Sequence, residues 1–242
     1  MPRKKQLYIK NSSAPFKLSR SKIEDFIRCP RCFYLDRRLG FSPPPSYPFT
    51  LNNAVDELLK KEFDIYRQKQ KPHPLMTANN LKAVPWNSPY VSDWRDYKTG
   101  LSYLVSDLNI IVYGLVDDIW ELENKDLAIA DYKATSTSKE ITLDDDWKIS
   151  YKRQAEIYQW LLKQKGLKVS NSAYFVYVNA SQSSPQFWNR LSFKTKVLRH
   201  VGDSSWIPNK LVEIKNCLES DSIPESNSGC KMCNYVKNRK GV

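Results

Sequence analysis

Two CxxC pairs, Cys29/Cys32 and Cys230/Cys233, stand towards opposite ends of this chain with most of its length between them. Thiolates are soft ligands, and four of them in paired spacing suit a zinc ion or an iron–sulfur cluster. The pairs can share one centre only in a fold that brings the first and last parts of the chain together. The alternative is four buried free thiols. Cys217, in LVEIKNCLES, falls at core spacing on a helix and reads as packing. Five cysteines, an odd count, follow a basic N-terminal stretch without an apolar h-region. That argues for a reducing, cytoplasmic compartment and against a disulfide framework.

A chain of 242 residues with 41% hydrophobic content is long enough for a real core, and disorder of the whole is excluded. No run approaches the ~18 apolar residues of a membrane span. Only seven glycines are present, with neither GxGxxG nor GxxxxGK[ST], which disfavours folds built on Gly-rich phosphate loops. The 38 Lys and Arg against 26 Asp and Glu leave a net charge of +12. A polyanion is the natural partner, and nucleic acid comes first.

Residues 1–18 read as a basic, flexible leader, and 19–242 as a single domain with a Cys-containing C-terminal segment, 217–242. Ser21 and Glu24 fit a capping box ahead of a helix carrying Ile23, Phe26 and Ile27. The run SPPPSYP (42–48) reads as a stiff linker. A helix over about 53–66 places Val55, Leu58, Leu59, Glu62 and Tyr66 on one stripe. Residues 72–100 form a long irregular segment with room for one short helix. LSYLV, LNIIVYGLVDDIWEL and LAIADYKAT then predict a three-stranded antiparallel meander. A helix (147–165), a buried strand (171–180), an alternating strand (192–200) and a helix (206–218) follow. The order predicts an α/β fold with a mixed central sheet flanked by helices.

Asp117 in GLVDDIW, with Asp131 and Lys133 in IADYKAT, carries the chemistry. A hairpin between the two segments brings Asp117 and Asp131 alongside each other, and alternation puts Asp131 and Lys133 on one face. Carboxylates gathered among Ile119, Ile129 and Ala130 repel unless a cation joins them. Magnesium or manganese is the matching hard, oxygen-preferring ion. A lysine beside it can orient an attacking water and neutralise charge on a phosphoryl group. The structural alternative is a buried salt bridge. In the next segment Gln154 and Tyr158 lie one helical turn apart, with Lys152 and Arg153 nearby.

This series resembles the PD-(D/E)XK nuclease superfamily in its RecB-like branch, through SKIEDFIRCPRCFYL, GLVDDIW, IADYK and QAEIY in that order. The resemblance implies a restriction-endonuclease-like core and a metal-dependent DNA exonuclease, with a role in repair, recombination or defence. It implies Asp117 and Asp131 as metal ligands, Lys133 as catalytic lysine, and Gln154 and Tyr158 as residues that bind and position the nucleic acid. The branch often carries a histidine ligand on the helix before the sheet; the matching position here is Asp56. His73 and His200 match nothing. Iron–sulfur members of the branch hold a four-iron cluster with one early and three late cysteines. The last of those would fall near Arg239 and is absent, so Cys32 would complete the set with Cys29, Cys230 and Cys233. The resemblance favours the cluster, the two-plus-two spacing favours Zn2+, and either would join the termini. A catalytically inactive nucleic-acid-binding protein with the same clasp is the alternative.

DNA, single-stranded or with ends, is the expected partner, and no membrane is. Candidate phosphate contacts are Arg3, Lys4, Lys5, Lys10, Arg37, Arg38, Lys148, Lys152, Arg153, Lys237, Arg239 and Lys240. Trp86, Trp94 and Trp147 are candidates for base stacking.

Overall fold

The computed structural model describes residues 6–44, 47 and 49–239. In chain order the elements are β1 (Phe16–Ser19), α1 (Arg20–Arg28), α2 (Pro30–Arg37), α3 (Thr50–Lys69), α4 (Pro74–Ala78), β2 (Ala83–Pro85) and α5 (Tyr90–Arg95). They continue with β3 (Leu101–Val105), β4 (Ile110–Gly114), β5 (Asp118–Leu122), β6 (Leu127–Thr135), α6 (Ile149–Gln164), β7 (Val169–Ala180), β8 (Phe193–Val201), α7 (Ile207–Glu219) and α8 (Lys231–Arg239). No helix among the described residues is long and apolar enough to cross a membrane. The chain groups into two compact units.

The larger unit spans Tyr47–Leu101 and Leu115–Ser204. Its sheet has the order β2-β5-β6-β7-β8. β6 and β7 run parallel, joined by the crossover helix α6 that a parallel pair needs, and every other neighbour pair is antiparallel. The sheet is mixed, as the sequence predicts. Alternation assigns its faces. Ala128, Ala130 and Tyr132 of β6, with Tyr174, Val176 and Val178 of β7, join Trp120, Phe63 of α3 and Met76 of α4 in one core. Phe63 stacks on His73 at 4.0 Å and on Trp120 at 5.5 Å between ring centroids. Each such fully buried side chain contributes on the order of 1.5–3 kcal/mol. The other face, carrying Ile129, Asp131 and Lys133, lies against α6.

The inward stripe of α3 differs from the predicted one. Phe63 and Arg67 are buried, whereas Leu58 is exposed. His73 lies in the connection that leads into α4 and is buried there: its Nδ1 accepts from the Leu75 N–H at 3.1 Å to cap α4, and its Nε2 meets Glu62 at 2.9 Å. The segment 72–100 holds two short helices and a strand rather than one helix in an irregular run.

The smaller unit comprises Met1–Ser46, Ser102–Gly114 and Ser205–Val242. Its sheet has the order β1-β4-β3, with β1 parallel to β4. Phe16, Leu18, Ile23, Phe26, Phe33 and Leu211 are among its buried residues. Ser19 caps α1, its Oγ accepting from the Lys22 N–H at 3.3 Å, so the helix starts two residues before the predicted box. The predicted leader is partly ordered structure: Tyr8 is buried, its N–H donates to Arg37 O at 2.8 Å, and Phe16 opens β1. Arg3, Lys4, Lys5 and Lys240 lie outside the described residues, as do 45, 46 and 48 of the predicted linker.

The predicted meander does not form. LNIIVYGLVDDIWEL breaks after Gly114; β4 joins the smaller sheet, and β5 pairs with β6 in the larger. A continuous apolar run fixes burial but not which sheet each half joins.

Candidate active site

The antiparallel register of β5 and β6 pairs Asp118 with Ala130 and Ile119 with Ile129. Residues opposite each other share a face, and two residues along a strand returns to it. Asp131 and Lys133 therefore share the α6 face and Asp118 belongs to the α3 face, while Asp117, in the bend before β5, stands near Lys60 of α3.

Asp131 is 1% exposed. Its Oδ1 accepts from Gln154 Nε2 at 2.7 Å, and its Oδ2 is ion-paired with Lys133 Nζ. The Lys133 ammonium also lies 4.8 Å from the centroid of the Tyr151 ring. Burial alone would lower the Lys133 pKa, but the Asp131 and Asp117 carboxylates outweigh it and raise the value. Asp117 is fixed from two directions: its Oδ2 accepts from the Tyr132 N–H at 2.9 Å, and its backbone carbonyl accepts from Arg95 Nε at 2.8 Å.

Asp56 of α3 reaches the same neighbourhood. Its Oδ2 meets Lys60 Nζ at 2.5 Å, and that ammonium stands 3.8 Å from Asp117 Oδ1. Burial and the nearby Asp117 carboxylate push the Asp56 pKa up. The donor set suits a hard divalent cation: carboxylate oxygens only, two of them close enough to disfavour each other's charge. Lys60 and Lys133 stand among these groups, and the three aspartates are not drawn together as tightly as the cysteines described below.

Behind this face lies a network that sequence reasoning missed. Asp118, fully buried, accepts from Arg67 Nη2 at 2.5 Å, Tyr132 Oη at 2.7 Å, Trp120 Nε1 at 3.3 Å and its neighbour's N–H at 2.7 Å. Arg95 Nη2 lies 3.1 Å away, while Arg95 Nη1 grips both oxygens of Asp64 at 2.8 and 2.9 Å. The available signal was Asp-Asp before a strand: with period two, one carboxylate must point into the core and requires buried cations.

Other expected residues are placed differently. Gln154 and Tyr158 are both buried, and Gln154 gives its amide to Asp131. Lys148 belongs to the interior, donating to Thr142 O at 2.6 Å and pairing with Asp145 at 2.7 Å. Trp94 is buried and stacked on Tyr90, Trp86 is half-buried, and Trp147 is exposed. Arg37 pairs with Asp36 at 3.1 Å, and Arg38 Nη1 donates to Tyr8 O at 3.4 Å. Lys10 pairs with Asp221, Lys152 and Arg153 are half-buried, and Lys237 and Arg239 are exposed. His200 is half-buried, with Nε2 2.9 Å from Glu156 Oε1.

The four cysteines do converge. Cys29 ends α1 and precedes α2, Cys32 lies in the first turn of α2, Cys230 directly precedes α8 and Cys233 lies in its first turn. Both pairs thus straddle helix N-termini, where partial positive charge favours thiolate. All four Sγ atoms lie within 4.8 Å of one another. Cys29–Cys233, Cys32–Cys230 and Cys32–Cys233 are 3.8, 3.6 and 3.4 Å apart. Burial opposes the Cys230 thiolate, but the Cys233 backbone and the neighbouring thiols bring its pKa down to about 7, while burial and those neighbours push Cys32 up. Four thiols so close ionise together only around a cation. Thiolates about 2.3 Å from one tetrahedral ion lie about 3.8 Å apart. Four irons would spread them wider. Asn227 ties the two ends further, its Nδ2 donating to Arg28 O at 2.8 Å.

Residues 17–237 match the family model of the PD-(D/E)XK nuclease superfamily. Among solved structures, one described as "Crystal structure of SSO0001" is 16% identical, with 95% of this chain and 87% of that chain covered and a TM-score of 0.36. No curated protein matches.

Proposed function

Because the chain belongs to the PD-(D/E)XK nuclease superfamily, we propose that it is a divalent-metal-dependent deoxyribonuclease of the RecB-like kind, acting on single-stranded DNA or DNA ends in a reducing, cytoplasmic compartment. The observation that carries this is Lys133 ion-paired to Asp131 on β6, with the Asp117 carboxylate held by the adjacent Tyr132 N–H and raising the Lys133 pKa with Asp131. Asp117 and Asp131 would hold magnesium or manganese, with Asp56 as a third ligand. Such an ion, when bound, supplies Lewis acidity towards a phosphoryl oxygen and a water of lowered pKa.

The chain's own residues supply the rest. Gln154 orients the Asp131 carboxylate, leaving its second oxygen to face Lys133. The Tyr132 N–H and Arg95 hold Asp117 by its carboxylate and its carbonyl. The Lys133 ammonium neutralises negative charge building on the phosphoryl group as water attacks the phosphodiester, a stabilisation worth roughly 10²–10³ in rate for a single preorganised donor. For the cysteine site we propose one structural ion of the zinc kind, which the sulfur separations support. The iron–sulfur cluster implied by resemblance is distinguished by visible absorption and iron analysis.

Cleavage of labelled single- and double-stranded DNA in manganese or magnesium, beside Lys133→Ala and an EDTA control, tests the reading. Cleavage lost at least about 100-fold in both controls is expected. A second reading, a nucleic-acid-binding protein without cleavage, is favoured by Lys60 standing between Asp56 and Asp117; binding with no metal-stimulated cleavage would establish it.

A further inference from the structure

The connection between β7 and β8, residues 181–192, has features that the carboxylate face does not use. It is tied down at its base, where the Ser181 N–H donates to Ser192 O at 2.8 Å and Gln182 Nε2 to Ser136 Oγ at 2.9 Å. At its tip the Arg190 N–H donates to Phe187 O at 2.9 Å, closing a four-residue turn. The two central residues, Trp188 and Asn189, have φ of 52° and 54°. Positive φ at both positions is the pattern of a type I′ turn. Asparagine tolerates it, but a bulky ring there is strained, and strain of this kind gathers at functional sites.

The turn presents both rings outward: Phe187 is 71% exposed and Trp188 66%. Together with Arg190 and the hydroxyl-bearing Ser181 and Ser183 they line a concavity of about 670 Å³. No Asp or Glu occurs between Glu156 and Asp203, a stretch that holds seven Lys and Arg residues. Exposed aromatic faces, a guanidinium and hydroxyls in an acid-free, basic stretch match the chemistry of an unstacked nucleotide, which offers a flat base and an anionic phosphate. The location is apt. Lys133 pairs with Tyr177 in the β6–β7 register, and the loop leaves β7 after Ala180, about 10 Å further along at ~3.3 Å per residue.

We propose that the β7–β8 loop is a base-stacking grip for single-stranded nucleic acid, with Trp188 and Phe187 taking unpaired bases and Arg190 a backbone phosphate. The assignment rests on the nuclease reading of the chain and adds to it a site separate from the carboxylates. Duplex DNA, whose bases are already stacked, gains nothing from the rings.

The test uses the full chain in EDTA, so that nothing is cleaved, with fluorescence anisotropy of labelled oligothymidylate and of a blunt duplex of equal length. Trp188→Ala is expected to bind the single strand about tenfold more weakly, to change duplex binding by less than about twofold, and to keep the native far-ultraviolet dichroism. Trp188→Phe is expected to recover most of the loss. Single-strand affinity unchanged in Trp188→Ala overturns the grip and leaves the nuclease reading standing. Equal loss on duplex and single strand also overturns it, because stacking then is not what the ring supplies. Failure of the native chain to bind either nucleic acid removes the grip and the nuclease reading together.

Discussion

The four-cysteine site and the carboxylate face answer the same electrostatic problem in opposite ways. Each crowds groups that carry negative charge when they are fit to bind metal. Around the carboxylates the chain brings its own cations: Lys60 lies on Asp56 and near Asp117, Lys133 lies on Asp131, and behind them Arg67 and Arg95 lie on Asp118. The cysteines instead crowd against one another at two helix N-termini, beside a cavity that Lys22, Arg28 and Lys231 also line. The difference separates two uses of metal. Where lysines and arginines already neutralise the acids, the fold stands without an ion, which is left free for chemistry. At the cysteines, an ion of the kind proposed above would be part of the fold.

The largest effect that could break this contrast lies at the cysteines. Cys230→Ser with Cys233→Ser, or strong chelation of the native chain, is expected to unfold the elements that carry the site, since structural zinc binding contributes on the order of 10 kcal/mol to small folds. Hydrogen exchange read peptide by peptide should show protection lost over α1, α2 and α8 and kept over β5 to β7. Uniform protection after metal removal would show that the thiols pack adequately by themselves.

Next in size is Asp118→Ala. It removes the buried carboxylate shared by Arg67 and Arg95 and leaves them only the half-buried Asp64 carboxylate, a change of the kind that typically costs about 3–5 kcal/mol. Urea denaturation should show it, whether or not metal is present. A loss below about 1 kcal/mol would mean that Asp64 and water suffice for Arg67 and Arg95, and that the carboxylate face is not held by its own cations.

The smallest effect sharpens the comparison. Lys60→Met removes the ammonium between Asp56 and Asp117, both partly exposed, so the change is expected to tighten manganese binding about threefold, in line with a modest surface pair. Titration calorimetry on the metal-free chain measures this directly. Weaker binding would show that Lys60 orients the acids rather than competing for them.

Much of this geometry was legible because it is local. LAIADYKAT alternates in a way that puts Asp131 and Lys133 on one face, where they form an ion pair. The convergence of the CxxC pairs follows from the chemistry of thiols and metals. What could not be read is partner choice over long sequence separations. Arg67 and Arg95 look like ordinary helical surface charges until the buried Asp118 claims them. Gln154 reads as a free amide until Asp131 takes it. Lys148 and Trp94 look like exposed basic and aromatic residues, yet both are enclosed, because a long stem or a ring is as useful to a core as to a surface. The split of 108–122 between two sheets escaped for a related reason: apolar content reports burial, not neighbours.

The two units also differ in how their residues are spread along the chain. The larger one is complete by Ser204, whereas the smaller draws on both flanks and an inner strand and needs Cys230 and Cys233 to complete its four-cysteine cluster. During synthesis, domains generally fold as their residues emerge. The larger unit therefore has all of its parts while Cys29 and Cys32 still wait for their partners. Closing the thiol site thus comes after the larger unit has all of its parts, and a nascent chain stalled before Cys230 would hold that unit's sheet beside an unpartnered Cys29–Cys32 pair.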